Sequence, residues 1–279
     1  MLDKIVRIFL NLRDKAMTKD PFTHQIIGLA MASHRALGPG LVEEFYHQDF
    51  VARLVKAGIE YLSKPRRDLV YRGYIADTFE ADLVFPEKLI PELKALRRTF
   101  APEHFTQLLS YAKFWHIRTG LLFDFGKPSL LSKRVFYTSK TGAFPQTIMP
   151  DFVSAQQLAC QLTQIAAQCL TDIGLGYRET TWLGIMGAAL RAEQIPFSMN
   201  PVVQVPHIGQ TSLRCIVIDQ QAAISITALG EEVTAMDRSC LQTCLRWLDL
   251  PWGICFHFGK AKADLKFVSN PIKTNLRVS

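Results

Sequence analysis

The feature that most constrains the fold of this chain is an internal repeat. Residues 105–127 (FTQLLSYAKFWHIRTGLLFDFGK) align without gaps with residues 238–260 (RSCLQTCLRWLDLPWGICFHFGK). The two segments share a Gly-x-x-Phe-x-Phe-Gly-Lys pattern, at residues 120–127 and 253–260. A shared pattern of this kind indicates a diverged duplication. It predicts two tandem domains, at residues 1–148 and 149–279.

Both halves show the same order of hydrophobic patterns. In the first half, helical spacing over residues 24–37 and 41–58 is followed by short strand-like segments, another helical segment at 103–116 and two closing strands. The second half repeats this order from residue 151, at an offset that falls along the chain from about 136 to about 133. The order is typical of an α/β fold, a mixed sheet flanked by helices, and we expect it twice.

The net positive charge of the chain comes entirely from its first half. Residues 1–150 contain 22 Lys and Arg against 15 Asp and Glu, whereas residues 151–279 contain 10 of each. A basic half favours a polyanionic partner such as nucleic acid. No apolar run approaches the ~18–20 residues that span a bilayer, and residues 1–19 have the pattern of an amphipathic helix rather than a secretory signal. We therefore expect a soluble, cytoplasmic protein that does not bind membranes.

The six cysteines all lie in the second half, and none of them forms a Cys-x-x-Cys pair. Buried, reduced thiols are the simplest interpretation for a chain without a secretory signal. An alternative zinc site can be drawn from the cluster of Cys240, Cys244, Cys255 and His257, although this spacing matches no usual ligand pattern.

The strongest candidate for chemistry is Asp82, followed ten residues later by Glu92 and then by Lys94. Residues two apart in a strand share a face, so Glu92 and Lys94 are expected to emerge together, with Asp82 beside them at the end of a neighbouring strand. Two carboxylates suit a hard cation such as Mg²⁺, and an adjacent ammonium can orient a water molecule and offset charge on a transition state. The alternative is an exposed strand with an ordinary Glu/Lys pair.

The first half resembles the GxxExxY family of the PD-(D/E)XK nuclease superfamily. The motif that names the family is present as GLVEEFY at residues 40–46 and is preceded by HRALGPG at residues 34–40. Asp82, Glu92 and Lys94 stand where the superfamily has its metal-binding and catalytic residues. Gln107 and Tyr111 resemble the Gln-x-x-x-Tyr pair of RecB-like members. The likeness spans residues 22–138.

This resemblance implies a restriction-endonuclease-like core that hydrolyses phosphodiester bonds of nucleic acid with Mg²⁺ or Mn²⁺, with DNA favoured over RNA. Asp82 and Glu92 would bind the metal, and Lys94 would position the attacking water. The remaining roles, carried over position by position, are metal support and catalysis for Glu43 and substrate binding for Gln107, Tyr111 and Tyr46. The bland alternatives are a helix-surface carboxylate for Glu43 and a core aromatic residue for Tyr111.

One residue departs from the family pattern. Pro91 directly precedes Glu92, where the family usually has a β-branched residue. Because proline lacks the N–H that a sheet ladder needs, this strand is expected at a sheet edge or at a bulge.

The second copy is predicted to have lost the chemistry. At the offset of the repeat, apolar residues and cysteines replace the candidate site residues, and only the helix glutamate persists, as Glu179. The predicted replacements are Ile216 for Asp82, Ile226 for Glu92, Ala228 for Lys94, Cys240 for Gln107 and Cys244 for Tyr111. We therefore interpret this half as a degenerate copy that completes an interface, as in a homodimer, or docks a protein partner. The rival hypothesis for the whole chain is a non-catalytic nucleic-acid-binding or protein-interaction module that keeps the nuclease fold.

Overall fold

The computed structural model describes residues 20–274, which divide into two compact units. The first unit contains Thr78–Thr138 and the described residues up to Arg67. The second contains Asp68–Asp77 and the described residues from Ser139 onward. The amphipathic helix predicted for residues 1–19 lies outside the described residues.

The first unit combines three helices with a mixed sheet. The helices are α1 (Pro21–Leu37), α2 (Glu43–Lys56) and α3 (Pro102–Phe114). The strands of this half are β1 (Leu62–Ser63), β2 (Arg66–Tyr71), β3 (Tyr74–Glu80), β4 (Leu83–Val84), β5 (Ile90–Lys94), β6 (Thr119–Asp124) and β7 (Leu131–Phe136). β5 pairs parallel to β6 through the α3 crossover, and β6 pairs antiparallel to β7. A bridge between Phe85 and Leu89 folds β4 back beside β5, and β4 also pairs with β1.

The apolar faces of α1 and α2 explain where this core lies. Tyr46, Phe50 and Leu54 recur at helical spacing on α2 and are fully buried against side chains of β5 and β6. Asp20 caps α1 by accepting hydrogen bonds from the backbone N–H groups of Phe22 and Thr23. Burial of one face of α2 leaves its first turn, with two glutamates, at the surface of the unit.

The edge position predicted for the strand with Pro91 is confirmed. β5 is an edge strand of the sheet formed by β5, β6 and β7. The Lys94 carbonyl accepts a hydrogen bond from Phe125 N, on the β6 side, at 2.7 Å. Leu93 N points away from β6, and Pro91, two residues earlier, has the same orientation. The missing N–H of proline therefore removes no hydrogen bond to β6.

The second unit is built around a five-stranded sheet. Its helices are α4 (Gln156–Ile173), α5 (Glu179–Ala192), α6 (Ala235–Trp247) and α7 (Pro271–Thr274). Its strands are β8 (Phe197–Met199), β9 (Val202–Val205), β10 (Gly209–Ser212), β11 (Ile216–Ile218), β12 (Ala222–Ala228), β13 (Trp252–Phe258) and β14 (Ala263–Ser269). The sheet order is β14-β13-β12-β11-β8, with β12 and β13 parallel and the other neighbours antiparallel.

The tip of the β2–β3 hairpin belongs to this second unit, which the sequence did not indicate. Asp77 accepts hydrogen bonds from Thr181 Oγ1 at 2.5 Å and from Arg178 at 3.3 Å. Tyr71 donates to Asp172 at 2.6 Å. A Cβ on Gly184 would lie 1.7 Å from the Ala76 carbonyl oxygen, so α5 needs glycine where the hairpin packs on it.

A glycine after β6 holds a close backbone approach that substitution tests directly. A Cβ on Gly126 would lie 2.4 Å from Leu96 O and 2.7 Å from Leu96 N, so one of the two backbones would have to move. We expect Gly126→Ala to destabilise the protein by about 1–3 kcal/mol, as overpacking does. Gly28 is the matched control, because it lies within α1 with nothing within 4 Å of an added Cβ. Gly28→Ala should stabilise by about 0.5–1 kcal/mol. Equal denaturation midpoints for the two variants would contradict this account.

Candidate active site

The β4–β5 turn brings the three residues of the proposed catalytic group together. Glu92 and Lys94 lie on one face of β5, and Lys94 Nζ is 2.7 Å from Glu92 Oε1. Asp82 directly precedes β4, and its Oδ2 accepts a hydrogen bond from Leu93 N at 2.7 Å. This bond fixes the Asp82 carboxylate against the backbone between the other two residues.

Glu43 joins this group from the first turn of α2. Its Oε1 lies 3.8 Å from Lys94 Nζ, so Lys94 faces two carboxylates at once. Glu43 and Asp82 also line a cleft of about 320 Å³ in the first unit. The cleft is lined by Val42, Glu43, Glu44, His47, Lys64, Asp82 and Leu93. The predicted convergence of Asp82, Glu92, Lys94 and Glu43 is therefore present in the structure.

Burial and mutual repulsion shape the electrostatics of this group. Glu92 is only 2% exposed, and this burial, together with the nearby Asp82 carboxylate, raises the pKa of Glu92 to about 8. Burial and Asp82 also raise the pKa of Glu43, against the opposing effect of Lys94. Burial opposes the charge of Lys94, but its contact with Glu92 keeps the pKa of Lys94 above its ordinary value. Three carboxyl groups are therefore crowded together, and Lys94 is in direct contact with two of them.

Gln107 and Tyr111 lie one turn apart on α3 and support the segment before Asp82. The Tyr111 hydroxyl donates to the Glu80 carbonyl at 2.7 Å and accepts from Gln107 Nε2 at 2.8 Å. Tyr111 is buried, with its ring edge-on to Phe79. The pair is thus hydrogen-bonded to the end of β3, two residues before Asp82.

Tyr46 occupies a similar supporting position under the loop between α1 and α2. It is fully buried, and its ring stacks on Phe125 with centroids 4.7 Å apart. Its hydroxyl donates to the Gly38 carbonyl at 2.7 Å and accepts from Leu41 N at 3.1 Å. The tyrosine of the GLVEEFY motif therefore ties down the loop that leads into Glu43.

Comparison with known protein families finds a match for the segment that carries these residues. Residues 20–135 match the family model of the PD-(D/E)XK nuclease superfamily. The match contains every predicted site residue, from Glu43 to Tyr111. No curated protein and no solved structure gives a significant match. Among the described residues, no helix is both long and apolar enough to cross a membrane.

The carboxylates of the matched segment fit a hard divalent cation, the kind of cofactor that nucleases of the PD-(D/E)XK superfamily typically use. Glu92 Oε2 is buried and has no hydrogen-bond partner among residues 20–274, so it is an oxygen available to an ion. Carboxylate oxygens are the ligands that Mg²⁺ and Mn²⁺ prefer. Within residues 20–274, no three His, Cys, Asp or Glu side chains form a ready ligand cluster. In this arrangement the Lys94 ammonium supplies the positive charge at Glu92 and Glu43.

The four residues of the zinc alternative in the second half do not form a metal-ligand cluster among residues 20–274. The sulfur of Cys255 accepts a hydrogen bond from Ser225 Oγ at 3.0 Å, and His257 Nδ1 pairs with Thr227 Oγ1 at 2.8 Å. Cys240 is exposed, whereas Cys244 is buried. Hydrogen bonds within the sheet therefore engage two of the four proposed ligands.

Two residues of the cleft, His47 and Lys64, were not predicted from the sequence. His47 Nε2 lies 3.2 Å from the Asp82 carbonyl and 3.3 Å from Ser63 Oγ. His47 is four residues after Glu43, so helical periodicity could have placed it on the same face. Lys64 donates from its backbone N–H to the Asp82 carbonyl at 3.0 Å, and its Nζ pairs with Glu44 at 2.5 Å. No local signal marks Lys64, because only the β1–β4 pairing brings it there.

Proposed function

We propose that the first unit is a Mg²⁺- or Mn²⁺-dependent nuclease of the GxxExxY type, with DNA as the favoured substrate. The observation that carries the proposal is the convergence of Lys94 with the Glu92 and Glu43 carboxylates, beside the fixed carboxylate of Asp82. The first half also has the charge to attract nucleic acid, with 22 basic against 15 acidic residues in residues 1–150. All six cysteines are free thiols, which suits a working compartment in the cytoplasm.

Asp82, Glu92 and Glu43 would hold the cation. Glu92 contributes the buried oxygen that lacks a partner among the described residues, and Glu43 approaches from the first turn of α2. When bound, the cation supplies positive charge against the charge that develops on the phosphodiester. The three carboxylates would then no longer repel one another unopposed, and Glu92 would ionise more readily.

Lys94 would orient the attacking water and offset charge on the phosphorane-like transition state. In the hydrolysis, the water oxygen forms a bond to phosphorus and the bond to the leaving oxygen breaks, while a water proton is released and the leaving oxygen is protonated. Lys94 Nζ is well placed for this role because Glu92 and Glu43 restrict its position.

Gln107, Tyr111 and Tyr46 would serve the substrate site through the backbone they support. The hydroxyl groups of both tyrosines bond to main-chain atoms next to site residues, at Glu80 for Tyr111 and at Gly38 and Leu41 for Tyr46. The amide of Gln107 is directed to Tyr111 rather than to the cleft. We therefore assign these residues to shaping the site.

For the second unit we propose a degenerate copy of the same fold. Both units begin with two helices, followed by short strands. In both, two parallel strands are then joined by a helix, and the last strand is antiparallel to its neighbour. α3 and α6 begin at Pro102 and Ala235 and end at Phe114 and Trp247, so both ends differ by 133 residues. α2 and α5 begin at Glu43 and Glu179, which would make Glu179 the counterpart of Glu43.

If the second unit is a copy of the first, the strand register supports two replacements other than those expected from the sequence. Glu92 lies opposite Leu122 and Lys94 opposite Asp124, whereas Ser225 lies opposite Cys255 and Thr227 opposite His257. At the 133-residue offset of the neighbouring strand, Ser225 and Thr227 would replace Glu92 and Lys94. The sequence alignment had placed Ile226 and Ala228 there, one residue further along. On this register too, the second unit lacks the acidic and basic residues of the first.

A role as an interface or a docking unit for a protein partner is therefore the function we propose for the second unit. Without counterparts of Glu92 and Lys94, the described residues of this unit have no group that could hold a cation and position water in the manner proposed for the first unit. Its acidic and basic residues are also balanced, at 10 of each in residues 151–279.

Titration calorimetry and cleavage assays test the proposed function together. Wild type and Asp82→Asn are titrated with Mn²⁺ and Mg²⁺, and both are incubated with supercoiled plasmid, single-stranded DNA and RNA. We expect the wild type to bind metal and to cleave, and Asp82→Asn to lose both. Nucleic-acid binding without metal binding, and with no difference in cleavage between the two proteins, would instead favour the non-catalytic binding module.

A further inference from the structure

The segment that follows Lys94 presents two arginines on a backbone held in place by buried groups. Arg97, Arg98 and Thr99 are exposed, and they connect the end of β5 with the start of α3. Arg97 is three residues from Lys94, so their Cα atoms are at most about 11 Å apart. We call residues 97–99 the arginine loop.

Asp124 and Lys127 hold the backbone of this segment by hydrogen bonds. Asp124 is fully buried, and its Oδ1 accepts hydrogen bonds from Leu96 N at 2.9 Å and Gly126 N at 3.0 Å. Lys127 Nζ donates to the carbonyls of Leu96 at 2.7 Å and Arg98 at 2.8 Å. The two side chains also pair with each other at 3.1 Å.

Asp124 and Lys127 are themselves held in place by other elements of the first unit. His34 Nε2, from α1, lies 2.8 Å from the Lys127 carbonyl oxygen. Asp124 is the last residue of β6, opposite Lys94 in the parallel register. The arginine loop is thus held by groups from β6 and α1 at the same sheet end as Lys94.

The guanidinium groups of Arg97 and Arg98, in contrast to this backbone, have no acidic partner in the part of the chain that the structure describes. Within residues 20–274, neither Arg97 nor Arg98 forms an ion pair, whereas Arg53 pairs with Asp49 at 2.7 Å and Lys64 with Glu44 at 2.5 Å. Unpaired arginines on a fixed backbone suit phosphate, because the planar guanidinium donates two parallel hydrogen bonds to it. A backbone that is already ordered also reduces the entropy lost on binding.

We infer that the arginine loop binds the phosphate backbone of the nucleic-acid strand next to the bond that is cleaved. The inference rests on the proposed function and adds to it the residues that hold the strand. Arg97 and Arg98 act as substrate-binding residues, and Asp124 and Lys127 are positioning residues that act through the loop backbone.

The test compares the Arg97→Ala/Arg98→Ala double variant with a charge-matched control, Lys56→Ala/Arg118→Ala. Lys56 ends α2, about 20 Å along the helix from Glu43. Arg118 lies just before β6, at the opposite end of that strand from Asp124. Both control residues are exposed and their removal takes away the same charge. Binding of a fluorescent 20-base-pair DNA duplex is measured by anisotropy in EDTA, from 50 to 200 mM salt.

We expect the arginine-loop variant to bind at least about tenfold more weakly than the control. Its plot of log K against log salt should be shallower by about 1.8, since each duplex phosphate contact contributes about 0.9. A general loss of folding would not lower the salt dependence of binding in the arginine-loop variant by this amount. The melting temperatures of both variants check that the fold is kept. If wild type binds and cleaves DNA while both double variants behave alike, the inference is wrong and the proposed function stands. If wild type neither binds nor cleaves, both fail together.

Discussion

Replacing Glu92 by glutamine or Lys94 by alanine is expected to reduce the rate of phosphodiester cleavage by at least about 10²–10³-fold. Glutamine keeps the size of Glu92 but not the charge that a cation requires. Alanine at position 94 removes the ammonium that lies 2.7 Å from Glu92 and 3.8 Å from Glu43. Initial rates on plasmid at saturating Mn²⁺ measure the effect.

The second unit offers a matched control for this experiment. On the proposed duplication, Thr227 would be the counterpart of Lys94, and it bonds to His257 within the sheet. Thr227→Ala should therefore leave the cleavage rate within about twofold of wild type, at a stability cost of about 1 kcal/mol for the lost hydrogen bond. A Thr227→Ala variant as inactive as Lys94→Ala would contradict the assignment of catalysis to the first unit.

The two replacements should also differ in how they respond to metal. Lys94→Ala leaves all three carboxylates, so it should still bind Mn²⁺. The Lys94 ammonium would then no longer compete with the ion for the Glu92 carboxylate. Glu92→Gln should bind it more weakly, because the buried oxygen without a partner no longer carries charge. Equal metal affinity in both variants would mean that Glu92 is not a ligand and that its burial serves the core.

The face of β5 that carries the candidate site could be predicted because it depends only on local geometry. Alternation in a strand puts Glu92 and Lys94 on one side whatever the rest of the chain does. The position of Asp82 also follows from proximity in sequence, since the Phe85–Leu89 bridge folds the chain back within ten residues. The edge position expected for Pro91 follows from local geometry too, because the N–H that proline lacks would point away from β6.

Features that depend on distant pairing could not be predicted. Lys64 reaches the cleft through β1, a two-residue strand whose sequence carries no pattern. The hairpin tip at Asp68–Asp77 joins the second unit through Arg178 and Thr181, about a hundred residues away in sequence. A one-residue difference in strand register likewise reverses which side chains face each other, so the proposed counterparts of Glu92 and Lys94 depend on the pairing with the neighbouring strand and not on the sequence offset alone.

The largest effect on stability is expected from pH in the absence of metal. The pKa of Glu92, raised to about 8 by burial and by Asp82, lies well above its ordinary value of 4.5. The folded state therefore holds a proton that the unfolded chain has already lost between these two values. The stabilisation is fully present below about pH 4.5 and is lost as pH rises through 8, at up to about 1.4 kcal/mol per pH unit. Glu43, whose pKa is also raised, acts in the same direction.

We therefore expect the melting temperature in EDTA to fall between pH 6 and pH 9 more steeply for wild type than for Glu92→Gln. The difference should approach about 2–4 °C per pH unit below pH 8. Saturating Mn²⁺ or Mg²⁺ should reverse the loss in wild type, and more strongly at pH 8.5 than at pH 6, because the ion competes with the proton for Glu92. Calorimetric titration in buffers of different ionisation enthalpy should show proton release on metal binding at pH 7. Parallel melting curves for the two proteins, with no released proton, would show that Glu92 is already ionised without metal.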